Sequence, residues 1–283
     1  MVKSDLPYLL DEWIELQRKD EISKKSLRDY RSNVQRFIDW LPDDKEIDKD
    51  LLMQFKEECL GQQLSTVSSI NTNITEVNAF IKYIGLQECC LKRLRSQIKS
   101  SNEEVITLAD FNRLIKFARK RGDVKTEYIM QVLVRSGIRI SELKYFTVEN
   151  LNANKNAIRV FNKNKERKII ISTDLRKMLK KYCRDQKISS GYIFRSDVYK
   201  DKLVSQSTIK RHMKSLAGAA KVKKSKVHPH SFRHLFAQIY LETFPSNYLE
   251  LSDALGHTNV NTTKIYTQNS EEQKRVNFDK MKF

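Results

Sequence analysis

Apolar residues at Leu64, Val67, Ile70, Ile74, Val77, Ile81 and Ile84 recur at steps of three and four, which lays one stripe along a predicted helix that stops at Gly85. Upstream, Leu27, Tyr30, Val34, Phe37 and Leu41 mark another helical core face, and Lys24, Arg28, Arg31 and Gln35 line a different side of the same helix, where they suit a phosphate backbone. Residues 91 to 105, LKRLRSQIKSSNEEV, lose the apolar period and gather Ser and Lys, which predicts a linker and a domain boundary near residue 100. Beyond it, Thr107 with Asp110 three positions on caps a predicted helix, TLADFNRLIKFARKRG, and another helix is expected over about residues 123 to 136. The period then changes to two. Residues 157 to 161 and 168 to 171 read as the strands of a hairpin, joined by a polar turn over 162 to 167. Helices resume to the end, including 205 to 220 and 230 to 241. The expectation is a mainly α protein with a small β-sheet, divided into a helical unit over 1–98 and an α+β unit over 105–283.

With 283 residues, 40% of them hydrophobic, the chain has enough apolar side chains for two cores. Charge sharpens the picture. Lys and Arg number 53 against 35 acidic residues, a net +18; residues 1 to 100 hold 16 basic and 17 acidic, so residues 101 to 283 hold 37 and 18. The surplus belongs to the second unit and points to a polyanion, either nucleic acid or an anionic membrane surface. No window approaches the roughly 18 apolar residues of a membrane helix, and the start, MVKSDLPYLLDEW, lacks a signal-peptide core, so a soluble cytoplasmic protein is expected. Cys59, Cys89, Cys90 and Cys183 form no Cys-x-x-Cys pair, in keeping with a reducing compartment. Residues 62 to 75 contain no charge, a run with a chance of only roughly 0.6% at this composition. The expected outer face there, Ser65, Ser68, Ser69, Thr72 and Asn73, suits close approach to DNA; packing against a neighbouring domain explains the same composition.

Candidate chemistry is scattered. In SGIRISEL, Gly137 ends one helix and Arg139 or Ser141 opens a short one, presenting a guanidinium at the corner with Glu142 within ion-pair reach. Lys163 lies at the tip of the hairpin FNKNKERKIII, with Lys165 and Arg167 as rivals in the same turn. In HPHSFRH, Pro229 favours a helix start at or just after His230, so His230 and Arg233 share a face: a proton acceptor beside a phosphate clamp. His230 and His234 at i, i+4 also have zinc-ligand spacing, but Ser231 stands where a zincin carries its Glu and no third ligand is evident. Finally, LGHTNVNTTKIYT places His257 after Gly256, with Tyr266 nine residues on.

In this order and spacing the motifs resemble the tyrosine recombinases, the phage-integrase and Xer type of site-specific recombinase, over about residues 105 to 268. The family's Gly-x-Arg-x-x-Glu falls on Gly137, Arg139 and Glu142, its hairpin lysine on Lys163, its His-x-x-Arg on His230 and Arg233, its Leu-Gly-His on Leu255, Gly256 and His257, and its nucleophile on Tyr266. The chain departs from the pattern at Asn164, where a glycine is usual, and at Ser172, where many relatives have proline; Lys165 therefore remains a substitute for Lys163. The resemblance implies a two-domain, C-shaped clamp on double-stranded DNA, with a helical core-binding domain of SAM-like type at the N-terminus and no room for an arm-binding domain. It implies DNA cleavage and rejoining through a 3′-phosphotyrosyl intermediate, catalysed by Arg139, Lys163, His230, Arg233, His257 and Tyr266 with Glu142 in support, and with no metal or other cofactor. Lys24, Arg28, Arg31, Ser68, Thr72, Lys165 and Arg167 are the expected DNA contacts. The tail, with Val276, Phe278, Met281 and Phe283, is expected to dock on a neighbouring protomer in a tetramer on two DNA sites. A non-catalytic DNA-binding or architectural protein, a metal-dependent nuclease and a type IB topoisomerase are the competing readings.

Overall fold

A computed structural model describes residues 3–61, 66–95, 106–153, 157–162, 165–256 and 279; the chain divides into two compact units, Met1–Ser100 and Ser101–Phe283. The N-terminal unit is built from α1 (Leu6–Lys19), α2 (Lys24–Trp40), α3 (Lys49–Gly61) and α4 (Val67–Tyr83). Ser23 caps α2 by accepting the Ser26 N–H at 3.2 Å, and Thr66 caps α4 by accepting that of Ser69 at 3.2 Å. Trp13 stacks on Tyr30 at 5.5 Å and tilts against Phe80 at 5.6 Å, so α1, α2 and α4 meet in one aromatic cluster over Phe37, Phe55, Ile74 and Val77.

Two expectations change here. The α4 stripe is buried from Ile70 through Ile81, but Val67 in the first turn stays exposed. Asn73, expected on the outer face, is buried together with Asn71 and Glu76. The Asn71 side chain pairs with Leu94, accepting its N–H at 2.7 Å and donating to its carbonyl at 3.0 Å, and Asn78 treats Leu91 the same way at 2.8 Å for both bonds. The buried Asn71 and half-buried Asn78 amides find their partners on the backbone that follows α4, whereas the buried Asn73 Nδ2 has no hydrogen-bond partner among the described residues. Residues 91–95, expected to be linker, are therefore tied to the N-terminal core, and Leu91 is buried in it.

The C-terminal unit begins with α5 (Leu108–Lys120) and α6 (Val124–Ser136). The predicted capping box is present: Thr107 accepts the Asp110 N–H at 3.1 Å, and the Asp110 carboxylate accepts that of Thr107 at 3.2 Å. After a 3₁₀ turn (Ile140–Tyr145) come α7 (Val148–Asn152), β1 (Ala157–Asn162), β2 (Lys165–Ile170), α8 (Thr173–Asp185), α9 (Gln206–Ala219), α10 (Pro229–Thr243) and α11 (Tyr248–Leu255). Their core includes Leu114, Met130, Leu133, Leu143, Phe146, Val160, Leu175, Phe194 and Phe232. Ser172, one departure from the family pattern, caps α8 by accepting the Leu175 N–H at 3.2 Å. His228 caps α10, its Nδ1 accepting the Ser231 N–H at 3.3 Å.

The hairpin is longer than the sequence suggested. β1 and β2 pair antiparallel from Ala157 opposite Ile170 to Asn162 opposite Lys165, which moves residues 165 to 167 out of the turn and into the ladder. Val160 lies opposite Arg167, and alternation puts Arg167 on the buried face with Ile158, Val160 and Ile169, while Phe161 and Ile170 stay exposed. Among the described residues no helix is long and apolar enough to cross a membrane.

Candidate active site

The last carbonyls of a helix lack intrahelical donors and carry partial negative charge. At the end of α11 three guanidiniums meet three successive carbonyls. Arg167 Nη1 donates to Ala254 O, Arg233 Nη2 to Leu255 O, and Arg139 Nη2 to Gly256 O at 3.2 Å. These arginines come from β2, α10 and the corner after α6, so one helix terminus gathers side chains from three distant segments. Gly256 lies in the left-handed region at φ +63°, and a Cβ there would come within 2.5 Å of Arg167 Cδ. Conformation and crowding both demand glycine before His257.

Arg233 is 1% exposed, and its Nη1 also donates to Gly137 O at 2.7 Å. Gly137 closes α6 with φ +60°, and a Cβ on it would run into the Phe236 ring of α10. The corner is thus seated directly on α10, and Arg233 spans from it to the end of α11. Arg139 sits at the N-cap of the 3₁₀ turn, where its N–H donates to Glu142 Oε2 at 2.7 Å. The Arg139 side chain remains 36% exposed, with Nη1 3.5 Å from Glu142 Oε1. Glu142, 2% exposed, also receives Arg167 through Nε at 3.2 Å and Nη2 at 2.5 Å.

His230 stands in the first turn of α10, open to solvent on one side, with its ring centroid 4.7 Å from that of His234 in an edge-to-face arrangement. Partial burial lowers its pKa first, and the charges of Arg233, His228 and Arg139 lower it further. The imidazole is therefore neutral, and able to accept a proton, at neutral pH. Any reaction that uses this imidazole as proton acceptor is expected to stay level as pH falls from neutral to the ordinary histidine pKa of about 6.5 and to decline only below it. A single-turnover pH profile checks this, and His230→Gln is expected to lose that acid limb. The stability sign agrees: below about 6.5 the unfolded chain binds the proton before the folded one, so acid destabilises the fold through this group. Among the described residues no group of three or more His, Cys, Asp or Glu gathers as a metal site.

Of the other expected site residues, Lys163, His257 and Tyr266 lie outside the described residues, as do the tail residues Val276, Phe278, Met281 and Phe283. Lys165 occupies the ladder opposite Asn162. Arg167, expected to contact DNA, is turned inward onto Glu142 and α11 with a side chain only 12% exposed. Lys24, Arg28 and Arg31 are exposed on α2, and Arg31 pairs with Asp11 at 2.6 Å. Ser68 and Thr72 are exposed on α4, Thr72 Oγ1 donating to Ser68 O at 3.0 Å. Sequence reasoning missed the carbonyl-binding role of the three arginines. The available signal was the hairpin itself, since two strands of equal length put Arg167 on the same face as Val160.

Three guanidiniums at one helix end, with the His230 imidazole within electrostatic reach of Arg139 and Arg233, make a cationic cluster of the kind that suits an anionic ester, on a basic and largely helical unit. The chain belongs to the phage integrase family, which matches residues 104–273, and the phage integrase N-terminal SAM-like domain matches 10–88. Tyrosine recombinase XerA of Pyrococcus furiosus is 27% identical over 90% of this chain and 86% of its own, and tyrosine recombinase XerD of Staphylococcus epidermidis is 23% identical over 94% and 96%. In fold, the chain is similar to a lambda integrase dimer bound to a core site (TM-score 0.75, 16% identity, 93% of this chain and 95% of that one). It is also similar to XerH bound to its difH substrate before cleavage (0.69, 14%, 96% and 83%). The chain is a tyrosine recombinase, an enzyme of site-specific DNA recombination.

Proposed function

We propose that Arg139 and Arg233 bind the non-bridging oxygens of the scissile phosphate, with His257 as a third donor, and that Tyr266 is the nucleophile. The observation that carries this reading is the convergence of Arg139 and Arg233 on the carbonyls immediately before His257, near a His230 whose pKa is lowered by partial burial and then by these charges. Attack gathers charge on the non-bridging oxygens, and preorganised cations stabilise it without reorganising. The Tyr266 oxygen bonds to phosphorus as the bond to the 5′ oxygen breaks; His230 takes the phenol proton and Lys163 supplies one to the leaving oxygen. Tyrosine starts near pKa 10, and the surrounding positive charge favours its phenolate. One phosphate ester replaces another, so a 5′ hydroxyl from a second strand can reverse the step without ATP.

The N-terminal unit then serves as core-binding domain and the C-terminal unit as catalytic domain. Lys24, Arg28, Arg31, Ser68, Thr72 and Lys165 contact the DNA backbone, making affinity fall with salt. A tetramer on two sites, held through the C-terminal tail, and a cytoplasmic setting complete the reading. The test is a suicide substrate whose nicked product diffuses away, followed by peptide mapping. A 3′-phosphate ester on Tyr266 supports the proposal; an adduct on another residue, or none, overturns it.

A further inference from the structure

Arg167 belongs to no part of the proposed chemistry, yet it is the hub of the buried polar network. Its guanidinium forks onto both oxygens of Glu142, at 3.2 and 2.5 Å, and its remaining nitrogen holds Ala254 O at the end of α11. Its stem fills the space that a Cβ on Gly256 would need. Among the described residues Glu142 faces two cations. Arg167 takes it as a fork, whereas the Arg139 guanidinium stands off at 3.5 Å and stays partly open to solvent. A buried carboxylate demands a counter-ion, and a forked guanidinium satisfies it better than a single nitrogen.

We infer that Arg167 is a positioning residue: by neutralising Glu142 it keeps Arg139 available for the scissile phosphate, and by holding Ala254 it fixes the helix end that precedes His257. This rests on the proposed assignment of Arg139. Without Arg167, the Glu142 carboxylate draws the Arg139 guanidinium onto itself and away from the substrate.

The test compares Arg167→Met, Glu142→Gln and the double variant on two nicked substrates, one with an ordinary scissile phosphate and one with an uncharged methylphosphonate there. Arg167→Met is expected to slow adduct formation at least roughly 30-fold on phosphate but no more than about fivefold on methylphosphonate, which carries no anion for Arg139 to neutralise. In the Glu142→Gln background the same substitution is expected to cost less than about fivefold on phosphate, because the competing charge is gone. If Arg167→Met does not fold, the double variant against Glu142→Gln decides alone. Equal losses on the two substrates, or an undiminished loss in the Glu142→Gln background, would overturn the inference and return Arg167 to a packing or DNA-contact role. If the unsubstituted protein forms no adduct at Tyr266 on either substrate, the proposed chemistry itself falls and takes this inference with it.

Discussion

Tyr266→Phe is expected to abolish the covalent protein–DNA complex while leaving retention of the DNA site within about threefold at fixed salt. The substitution removes one oxygen and keeps the ring, so binding through phosphate contacts elsewhere persists. What is lost is the only atom proposed to bond to phosphorus. Arginines that remain in place still polarise the phosphate, yet with no nucleophile they leave only slow attack by water, at least about 10⁴-fold below the normal step. A denaturing gel of the suicide-substrate reaction reads the adduct, and a native gel at the same ionic strength reads binding. A protein that acted only by binding would behave identically before and after the change. Persistence of the adduct in the variant would move the nucleophile to another side chain.

Arg233→Ala carries the second large effect, because that side chain has a structural and a chemical role at once. Its guanidinium satisfies Gly137 O and Leu255 O in a site that is 1% exposed. Truncation leaves both carbonyls short of a donor, at a cost of about 1–3 kcal/mol each, so a total loss of about 2–6 kcal/mol is expected in urea unfolding with an unchanged slope. It also removes a cation from the proposed phosphate site, for which cleavage is expected to fall at least about 10²–10³-fold. Arg233→Lys separates the two roles. An ammonium keeps the charge but cannot span both carbonyls as a planar fork, so part of the stability is expected to return while cleavage stays far below normal. Full stability in the alanine variant would show that the two carbonyl bonds contribute nothing net.

Much of this protein is legible in its sequence wherever the signal is local. The Thr107 and Asp110 capping box and the end of the α6 helix at Gly137 are each written in a few adjacent residues and present in the fold, and the helix start expected at or just after His230 falls one residue earlier, at Pro229. Long apolar stripes, as along α4, are equally clear because burial of one face imposes the period. The errors occur where two segments must meet. Residues 165 to 167 read as turn because charge dominates them, but pairing with β1 decides their place, and Glu142 makes an inward arginine tolerable there. Asn73 reads as surface because it is polar, yet the fold buries it beside Asn71, whose partner is the backbone 23 residues away.

The order and spacing of the motifs determine by themselves that the chain is a tyrosine recombinase with a mainly helical fold and a small hairpin. They carry that much because side chains of a given chemistry recur at fixed distances along the chain, and local periodicity reports which faces are buried. Only the tertiary structure decides that Arg139, Arg167 and Arg233 finish side by side on carbonyls 256, 254 and 255, and that a buried glutamate is shared between two of them. Those contacts join residues 22 to 117 positions apart, and their strength depends on exclusion of water and on the exact mutual placement of three elements, which no stretch of sequence contains.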